Sequence, residues 1–427
     1  MKRIVVVGGG SAYTPGVARA LAAHPELTGA TLVLQDIDAE ALDLQRRLSG
    51  SLLRARGAEI AVVAEADRRR AIEGADVVLT MFRPGGFPAR HLDEAIAVEH
   101  GIVGQETAGP GGFAMALRSV PIVLAVAEEV RSLAAPGCVL LNYTNPVQTV
   151  SEAVARFAPG VPFLGLCDQT SGEIATHARV LGVAPSEVEI DTAGTNHMTF
   201  TRAVRVRGED VTERLWERYR TCGPEGFEPE EWSQVRLFRE LGAFPSEYLR
   251  YFRFHDEVLA EQRASGTRAS EVMAILPEVL DSYRREANAV DPHPSDARSG
   301  GHLGDFAIAI VAAMASGAER RFILNLPNAG QVPNLPEGAI VETPARLLGR
   351  TAMPVPQSPI PEAYRDAVAA VIAHARATAE AAVAGDRALA VDALALHPLV
   401  RERAVARSLV DAYLAAHAAH LPAFRAA

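Results

Sequence analysis

Ile4-Val5-Val6-Val7-Gly8-Gly9-Gly10-Ser11-Ala12-Tyr13-Thr14-Pro15 decides the fold. Four apolar residues without polar alternation read as a strand buried on both faces. A three-glycine turn follows, and a helix opens near Pro15. Strand, glycine turn and helix in that order let backbone N–H groups approach a pyrophosphate at a helix N-terminus. Gly8 and Gly10 fill the first two positions of a dinucleotide fingerprint, but Tyr13 stands at the third, so the match is incomplete. Asp36 follows the second strand, Thr31–Gln35, where a carboxylate would bind adenine-ribose hydroxyls. No arginine stands beside Ile37-Asp38, which favours NAD over NADP. A ligand-free tight turn would show the same glycines. The combination of strand, turn and acid predicts Gly8, Gly9, Gly10, Ser11 and Asp36 as cofactor-binding residues.

Outward from this unit the pattern repeats. Strands are expected at Thr31–Gln35, Glu59–Val63, Ala75–Met81, Cys138–Asn142 and Phe163–Leu166, with helices from Ala39 and near Gly112–Leu133. Short apolar strands alternating with amphipathic helices predict an α/β fold, a doubly wound parallel sheet covered on both faces. After Asp168 the pattern changes. Glu187–Asp191 and Met198–Val206 look antiparallel, a helix-rich stretch runs to Ala315, and strands return at Phe322–Asn325 and Ala339–Thr343. The alanine-rich tail from Ala363 reads as helix. Two domains are therefore expected, 1–168 for the nucleotide and 169–427 as an α+β catalytic and oligomerisation unit.

Composition narrows the function. With 427 residues, 48% of them hydrophobic, the chain can bury large cores. A net charge of −10 argues against a nucleic-acid or anionic-membrane partner. No early apolar stretch has the length of a signal peptide or membrane span. Three cysteines, Cys138, Cys167 and Cys222, leave one unpaired and point to a reducing, cytoplasmic setting.

Several residues could carry chemistry. Cys167 and His197 have no second Cys or His at short spacing, which argues against a closed structural zinc site. Each could be a core residue. As a pair they would leave a metal open to substrate and water, and thiolate plus imidazole suits a first-row transition ion. Asn142-Tyr143-Thr144-Asn145-Pro146 lies where open parallel sheets bind ligands, or is a strand-ending turn. Gly104–Phe113 is either backbone pressed against a ligand or a flexible connection. Arg90, Arg118 and Arg268 could clamp an anion or sit solvated on the surface.

Taken together, the chain resembles glycoside hydrolase family 4, NAD- and metal-dependent 6-phospho-glucosidases that depart from two-carboxylate hydrolysis. The resemblance rests on Gly8–Pro15, Phe82–Gly86, Gly104–Phe113, Asn142–Pro146, Gly165–Asp168, Gly194–His197, Pro245–Tyr251, Gly266–Arg268 and Asn325–Asn328, in family order. It implies a Rossmann-like sheet with a second α+β domain, as in lactate and malate dehydrogenases. It implies Cys167 and His197 as ligands of Mn²⁺ or another divalent transition metal, Asp168 as general acid and Tyr248 as base. It places Arg90, Asn145 and Arg268 at substrate-binding positions. Tyr251 competes with Tyr248, although its spacing to Arg268 fits the family pattern less well. The implied reaction oxidises the sugar transiently at C3, removes the C2 proton, eliminates the aglycone and returns the hydride. A homodimer or homotetramer is implied as well.

Three departures bear on the substrate. Gly16-Val17 stands where the family usually has Glu-Leu, Met81 where it has Gln, and Gln169-Thr170-Ser171 where phospho-glucosidases often carry Asn-Val-Pro or Asp-Met-Pro. They leave the 6-phosphate and the gluco configuration open, and the implied elimination, which tolerates either anomer, leaves α against β open as well. Two rival classes remain. A hydroxy-acid dehydrogenase would need a His-Asp relay, and His197 has no acid partner nearby in sequence. A non-catalytic NAD sensor would have no use for Cys167, His197 and Tyr248. If Cys167 is an accessible, low-pKa thiolate, mild oxidation would inactivate the protein.

Overall fold

The structure, a computed structural model, describes residues 1–298, 301–400 and 402–425. Six parallel strands form its first half: β1 (Arg3–Val7), β2 (Thr31–Gln35), β3 (Ala61–Ala64), β4 (Val77–Thr80), β5 (Val139–Asn142) and β6 (Phe163–Gly165). Their spatial order is β3-β2-β1-β4-β5-β6, the doubly wound dinucleotide-binding arrangement. The apolar runs now have a physical cause. Ile4 and Val6 enter one core with Leu32, Leu34, Val77 and Leu79, while Val5 and Val7 enter the other with Val33, Val78 and Leu140. Burial of each such side chain stabilises by about 1.5–3 kcal/mol.

Helices α1 (Thr14–Ala22), α2 (Ala39–Ala55), α3 (Arg68–Ile72), α4 (Gly86–Glu99), α5 (Pro110–Leu133), α6 (Val147–Phe157) and α7 (Gln169–Leu181) connect and follow these strands. The sheet then continues antiparallel through β7 (Val188–Thr195), β8 (Met198–Val206), β9 (Glu209–Asp210), β10 (Phe244–Pro245), β11 (Arg320–Pro327), β12 (Ile340–Leu348) and β13 (Thr351–Pro354). The hairpin of β11 and β12 inserts between β6 and β7, so one sheet crosses both halves. A single row of paired residues, Gly165–Asn325–Glu342–Gly194, spans the junction.

The tail is helical as expected, in three segments, Glu362–Ala384, Arg387–Ala395 and Arg403–Ala416. These helices return to the first half. Ala379, Leu394, Leu409 and Tyr413 share a core with Phe113, Leu117 and Val120 of α5. Two helices, Pro110–Leu133 and Glu362–Ala384, are long and apolar enough to cross a membrane, but they pack on one another beside this core. Arg118 lies in the same layer. It is no anion clamp, because it is fully buried and bidentate to Asp93, with Nη1–Oδ1 at 2.9 Å and Nη2–Oδ2 at 2.5 Å. His417 Nε2 reaches Asp93 Oδ1 at 2.7 Å, tying the last long helix to α4.

Candidate functional site

The glycine loop is folded against its own sheet. Gly8 and Gly9 donate to the Gln35 carbonyl at 2.9 and 2.8 Å. Gly8 has φ +94°, and a Cβ there would lie 2.7 Å from the Phe82 backbone nitrogen. A Cβ on Gly10 would meet Asp36 Oδ2 at 2.8 Å. Asp36 Oδ2 accepts the Gly10 N–H at 2.8 Å and Oδ1 accepts the Asp38 N–H at 3.1 Å. The carboxylate therefore shapes the loop while staying half-exposed at the edge where a ribose would arrive. A Cβ on Gly304, in helix Gly301–Ser316, would fall 2.4 Å from the Gly16 carbonyl carbon, so a larger residue at 304 would part that helix from α1.

Cys167 follows β6, and His197 sits in the two-residue turn joining β7 to β8. The turn brings them together, with Sγ and Nε2 3.3 Å apart and both residues buried. His197 has φ +65°, a left-handed conformation that costs a non-glycine residue about 1–2 kcal/mol. Strain of this kind persists where the surroundings enforce it, typically at functional sites.

The surroundings also choose the tautomer. Thr107 Oγ1 donates to Gln105 Oε1 at 2.9 Å and lies 2.7 Å from His197 Nδ1. Its only hydrogen being spent on Gln105, the hydroxyl accepts from Nδ1–H, which leaves the Nε2 lone pair facing sulfur. Burial pushes the imidazole pKa down to about 3, so the ring is neutral. Burial also pushes the Cys167 thiol well above its usual range, with Glu342 and Asp168 adding to the effect. That corrects the expectation of an accessible, low-pKa thiolate. A divalent cation would reverse the sign by favouring the anion. Among the described residues no group of three or more His, Cys, Asp or Glu side chains is placed to hold an ion. The donor set is this pair, soft sulfur beside neutral nitrogen, which fits a divalent transition metal with open positions.

Tyr248 follows the short β10 and lies flat on His197, ring centroids 3.6 Å apart and planes 2° from parallel. Tyr251 is one layer further out, 5.8 Å from Tyr248 and tilted by 51°. Burial, then Glu247 and Cys167, hold the Tyr248 phenol well above its usual pKa. Burial likewise raises Tyr251, to about 12. Asp168 opens α7 without capping it through its side chain. Its charge acts instead on Tyr13, Tyr143, Cys167 and Glu247.

Arg90 on α4 is buried, with Nε 2.7 Å from Glu94 Oε1 and Nη1 3.3 Å from Glu106 Oε1. Burial opposes ionisation of Glu106, yet Arg83 and Arg90 outweigh it and hold the pKa down to about 2. Glu94 Oε2 also accepts the Ala269 N–H at 2.8 Å, joining Arg90 to the start of the helix that begins at Arg268. Arg268 itself is 59% exposed and pairs with Glu271 at 2.6 Å. Asn145 is half-buried at the carboxyl end of β5, before a cis peptide to Pro146.

Residues that sequence reasoning passed over complete the site. Arg298 Nη2 donates to Tyr13 Oη at 2.5 Å, and its guanidinium lies over the Tyr13 and Phe87 rings. Its buried Nε has no hydrogen-bond partner among the described residues. Burial lowers its pKa, and Arg90 and Arg268 add to this against the opposing pull of Tyr13 and Glu106. Gln105 and Thr107 lay inside a loop read only for its glycines. Glu342 carried no local signal at all.

Comparison with known proteins assigns this architecture. The model of the family 4 glycosyl hydrolases matches residues 3–183, and that of the family 4 glycosyl hydrolase C-terminal domain matches residues 192–400. The chain belongs to this family. It is 31% identical to a probable 6-phospho-beta-glucosidase of Bacillus subtilis, over 99% of this chain and 98% of that one. The structure of the Thermotoga maritima 6-phospho-beta glucosidase with manganese, NAD⁺ and glucose-6-phosphate superposes with a TM-score of 0.88 at 28% identity, covering 98% of this chain and 99% of that one. A 6-phospho-alpha-glucosidase from gut microorganisms, in complex with NAD and Mn²⁺, gives a TM-score of 0.88 at 26% identity, with 98% of each chain covered.

Proposed function

We propose that this chain is an NAD- and Mn²⁺-dependent glycosidase of 6-phosphorylated glucosides, cleaving by transient oxidation at C3, deprotonation at C2 and elimination of the aglycone. The observation that carries the reading is the stack of Tyr248 on His197 above a Cys167–His197 pair 3.3 Å across. When bound, the nicotinamide takes and returns a hydride, and the divalent ion polarises the sugar oxygen beside it. The chain's own groups do the rest. Cys167 and His197 would hold the ion, with Thr107 fixing the imidazole. Tyr248 would remove the C2 proton, its ionisation favoured by that cation against the burial that opposes it. Asp168 would protonate the leaving oxygen. Asn145 and Arg90 would orient the sugar, and Gly8–Ser11 with Asp36 the nucleotide.

The 6-phosphate is supported by the arginines. Arg90 and Arg268 act on the buried Arg298 against the pull of Glu106, and an anionic substrate group would add counter-charge to this cluster. Elimination chemistry tolerates either anomer, and the β preference rests on the relative's name. We place the enzyme in the cytoplasm, where Cys167 stays reduced, as a homodimer or homotetramer.

The dehydrogenase reading loses its main support. His197 Nδ1 faces the Thr107 hydroxyl rather than a carboxylate, so no His-Asp relay is formed. The test is a panel of nitrophenyl α- and β-glucosides, with and without 6-phosphate, assayed with NAD⁺, Mn²⁺ and dithiothreitol. Aglycone release from a 6-phospho-glucoside supports the reading. Stoichiometric NADH accumulation without release supports the dehydrogenase.

A further inference from the structure

Glu342 is a fully buried carboxyl in the middle of the junction between the two halves. Burying a carboxyl in this way costs stability unless it serves something. Its surroundings say what. Glu342 pairs across the sheet with Gly194 and Asn325, and Asn325 pairs with Gly165. Both glycines are obligatory. A Cβ on Gly194 would meet the Met198 carbonyl oxygen at 2.1 Å, and one on Gly165 would meet Ser151 Oγ at 2.5 Å. Two residues beyond Gly165 stands Cys167, and three beyond Gly194 stands His197. The segments carrying both donors therefore leave the sheet beside Glu342.

The link is a single amide. Asn196 Nδ2 donates to Glu342 Oε1 at 3.2 Å, and Asn325 Nδ2 reaches the same oxygen at 3.2 Å. A carboxylate can only accept, so it fixes which end of the Asn196 amide faces it. The same residue is the first of the two-residue turn whose second member is His197 in its left-handed conformation.

We propose that Glu342 is a positioning residue of the Cys167–His197 centre: it anchors the Asn196 amide, steadies the strained turn in which Asn196 precedes His197, and supplies an outer negative charge to the bound ion. A divalent ion on one thiolate and one neutral imidazole keeps one positive charge. Glu342 balances it without occupying a coordination position. This inference rests on the metal-binding reading proposed above.

The test is direct Mn²⁺ binding by calorimetry on the full-length wild type and on Glu342→Gln, Asn196→Ala and Cys167→Ser, with NAD affinity and metal-free melting temperature measured alongside. Outer partners of metal ligands are typically worth about 10–100-fold in affinity. Glu342→Gln and Asn196→Ala should each weaken Mn²⁺ binding by about that factor and leave NAD affinity unchanged. The metal-free melting temperature of Glu342→Gln should be unchanged or higher, because a buried charge has gone. A purely structural carboxyl would give the opposite pattern, a lower melting temperature with Mn²⁺ affinity intact, and that result overturns the proposal. Should Glu342→Gln not fold, Asn196→Ala decides, and wild-type affinity there is equally fatal. Equal Mn²⁺ affinity in wild type and Cys167→Ser would instead remove the underlying metal assignment, and this inference with it.

Discussion

Tyr248 rests face to face on His197, with ring centroids 3.6 Å apart. A phenol thus lies directly on the imidazole proposed to hold the ion, which favours Tyr248 over Tyr251 as the proposed base. Tyr248→Phe should abolish exchange of the C2 proton with solvent while leaving NAD affinity near normal. Tyr251→Phe should retain exchange, since that ring lies 5.8 Å further out. Exchange lost in Tyr251→Phe and kept in Tyr248→Phe would move the base one layer outward.

Metal binding should appear as thermal stability. A ligand that binds only the folded state at 100 times its Kd stabilises by about 2.7 kcal/mol. Mn²⁺ should therefore raise the wild-type melting temperature by several degrees, an increase reversed by a chelator and absent in Cys167→Ser. An identical increase in Cys167→Ser would place the ion elsewhere.

Thr107→Val keeps the shape of the side chain and removes the hydroxyl that accepts from His197 Nδ1. Without it the imidazole loses its preference for the tautomer that presents Nε2 to the ion. Mn²⁺ affinity should fall by about 10–100-fold. NAD affinity serves as the control, and unchanged Mn²⁺ affinity would show that the tautomer is set by some other group.

Acid should unfold the protein early. His197 and His374 are buried with pKa values lowered to about 3 and about 4, while unfolded histidine titrates near 6.5. Between those values the unfolded chain binds more protons than the folded one, so stability falls as pH falls. Each group contributes at most about 1.4 kcal/mol per pH unit. Glu106, held at about 2 by its arginines, adds the same sign below the ordinary carboxylate range. Glu247 and Glu342, raised by burial to about 7, have the opposite sign between that value and the ordinary carboxylate range, so the net fall is expected below it. Urea unfolding of metal-free protein from about pH 5 to 3 checks this, and a flat profile there contradicts it.

Peroxide should act slowly on the folded protein. Cys167 is only 6% exposed, and burial raises its thiol pKa, so it lacks both access and thiolate character. Rapid loss of a titratable thiol from native Cys138→Ser/Cys222→Ser protein would show that the site opens far more than this packing allows.

Much of the first half was legible because buried parallel strands write themselves as apolar runs, as in Ile4–Val7, Thr31–Gln35 and Val139–Asn142. Helix α4 was not, since it carries Arg90, Asp93 and Glu94 on buried positions and so breaks its own apolar periodicity. The tail was legible as helix, but nothing in an alanine-rich segment announces that Leu394 and Tyr413 will pack on α5. Cys167, Asp168, His197 and Tyr248 were found through resemblance, not spacing. Thr107, Glu342 and Arg298 reach His197, Asn196 and Tyr13 across 90, 146 and 285 residues of sequence respectively, distances over which no local pattern survives.

Turnover in D₂O with NAD⁺, Mn²⁺ and dithiothreitol tests the account most directly, using a nitrophenyl 6-phospho-glucoside and reading the glucose-6-phosphate product by mass and NMR. The account predicts deuterium at C2 in the product and no net NADH at completion. Rapid release of nitrophenol with C2 still carrying its original hydrogen would contradict it, because cleavage would then proceed without the proton abstraction proposed for Tyr248.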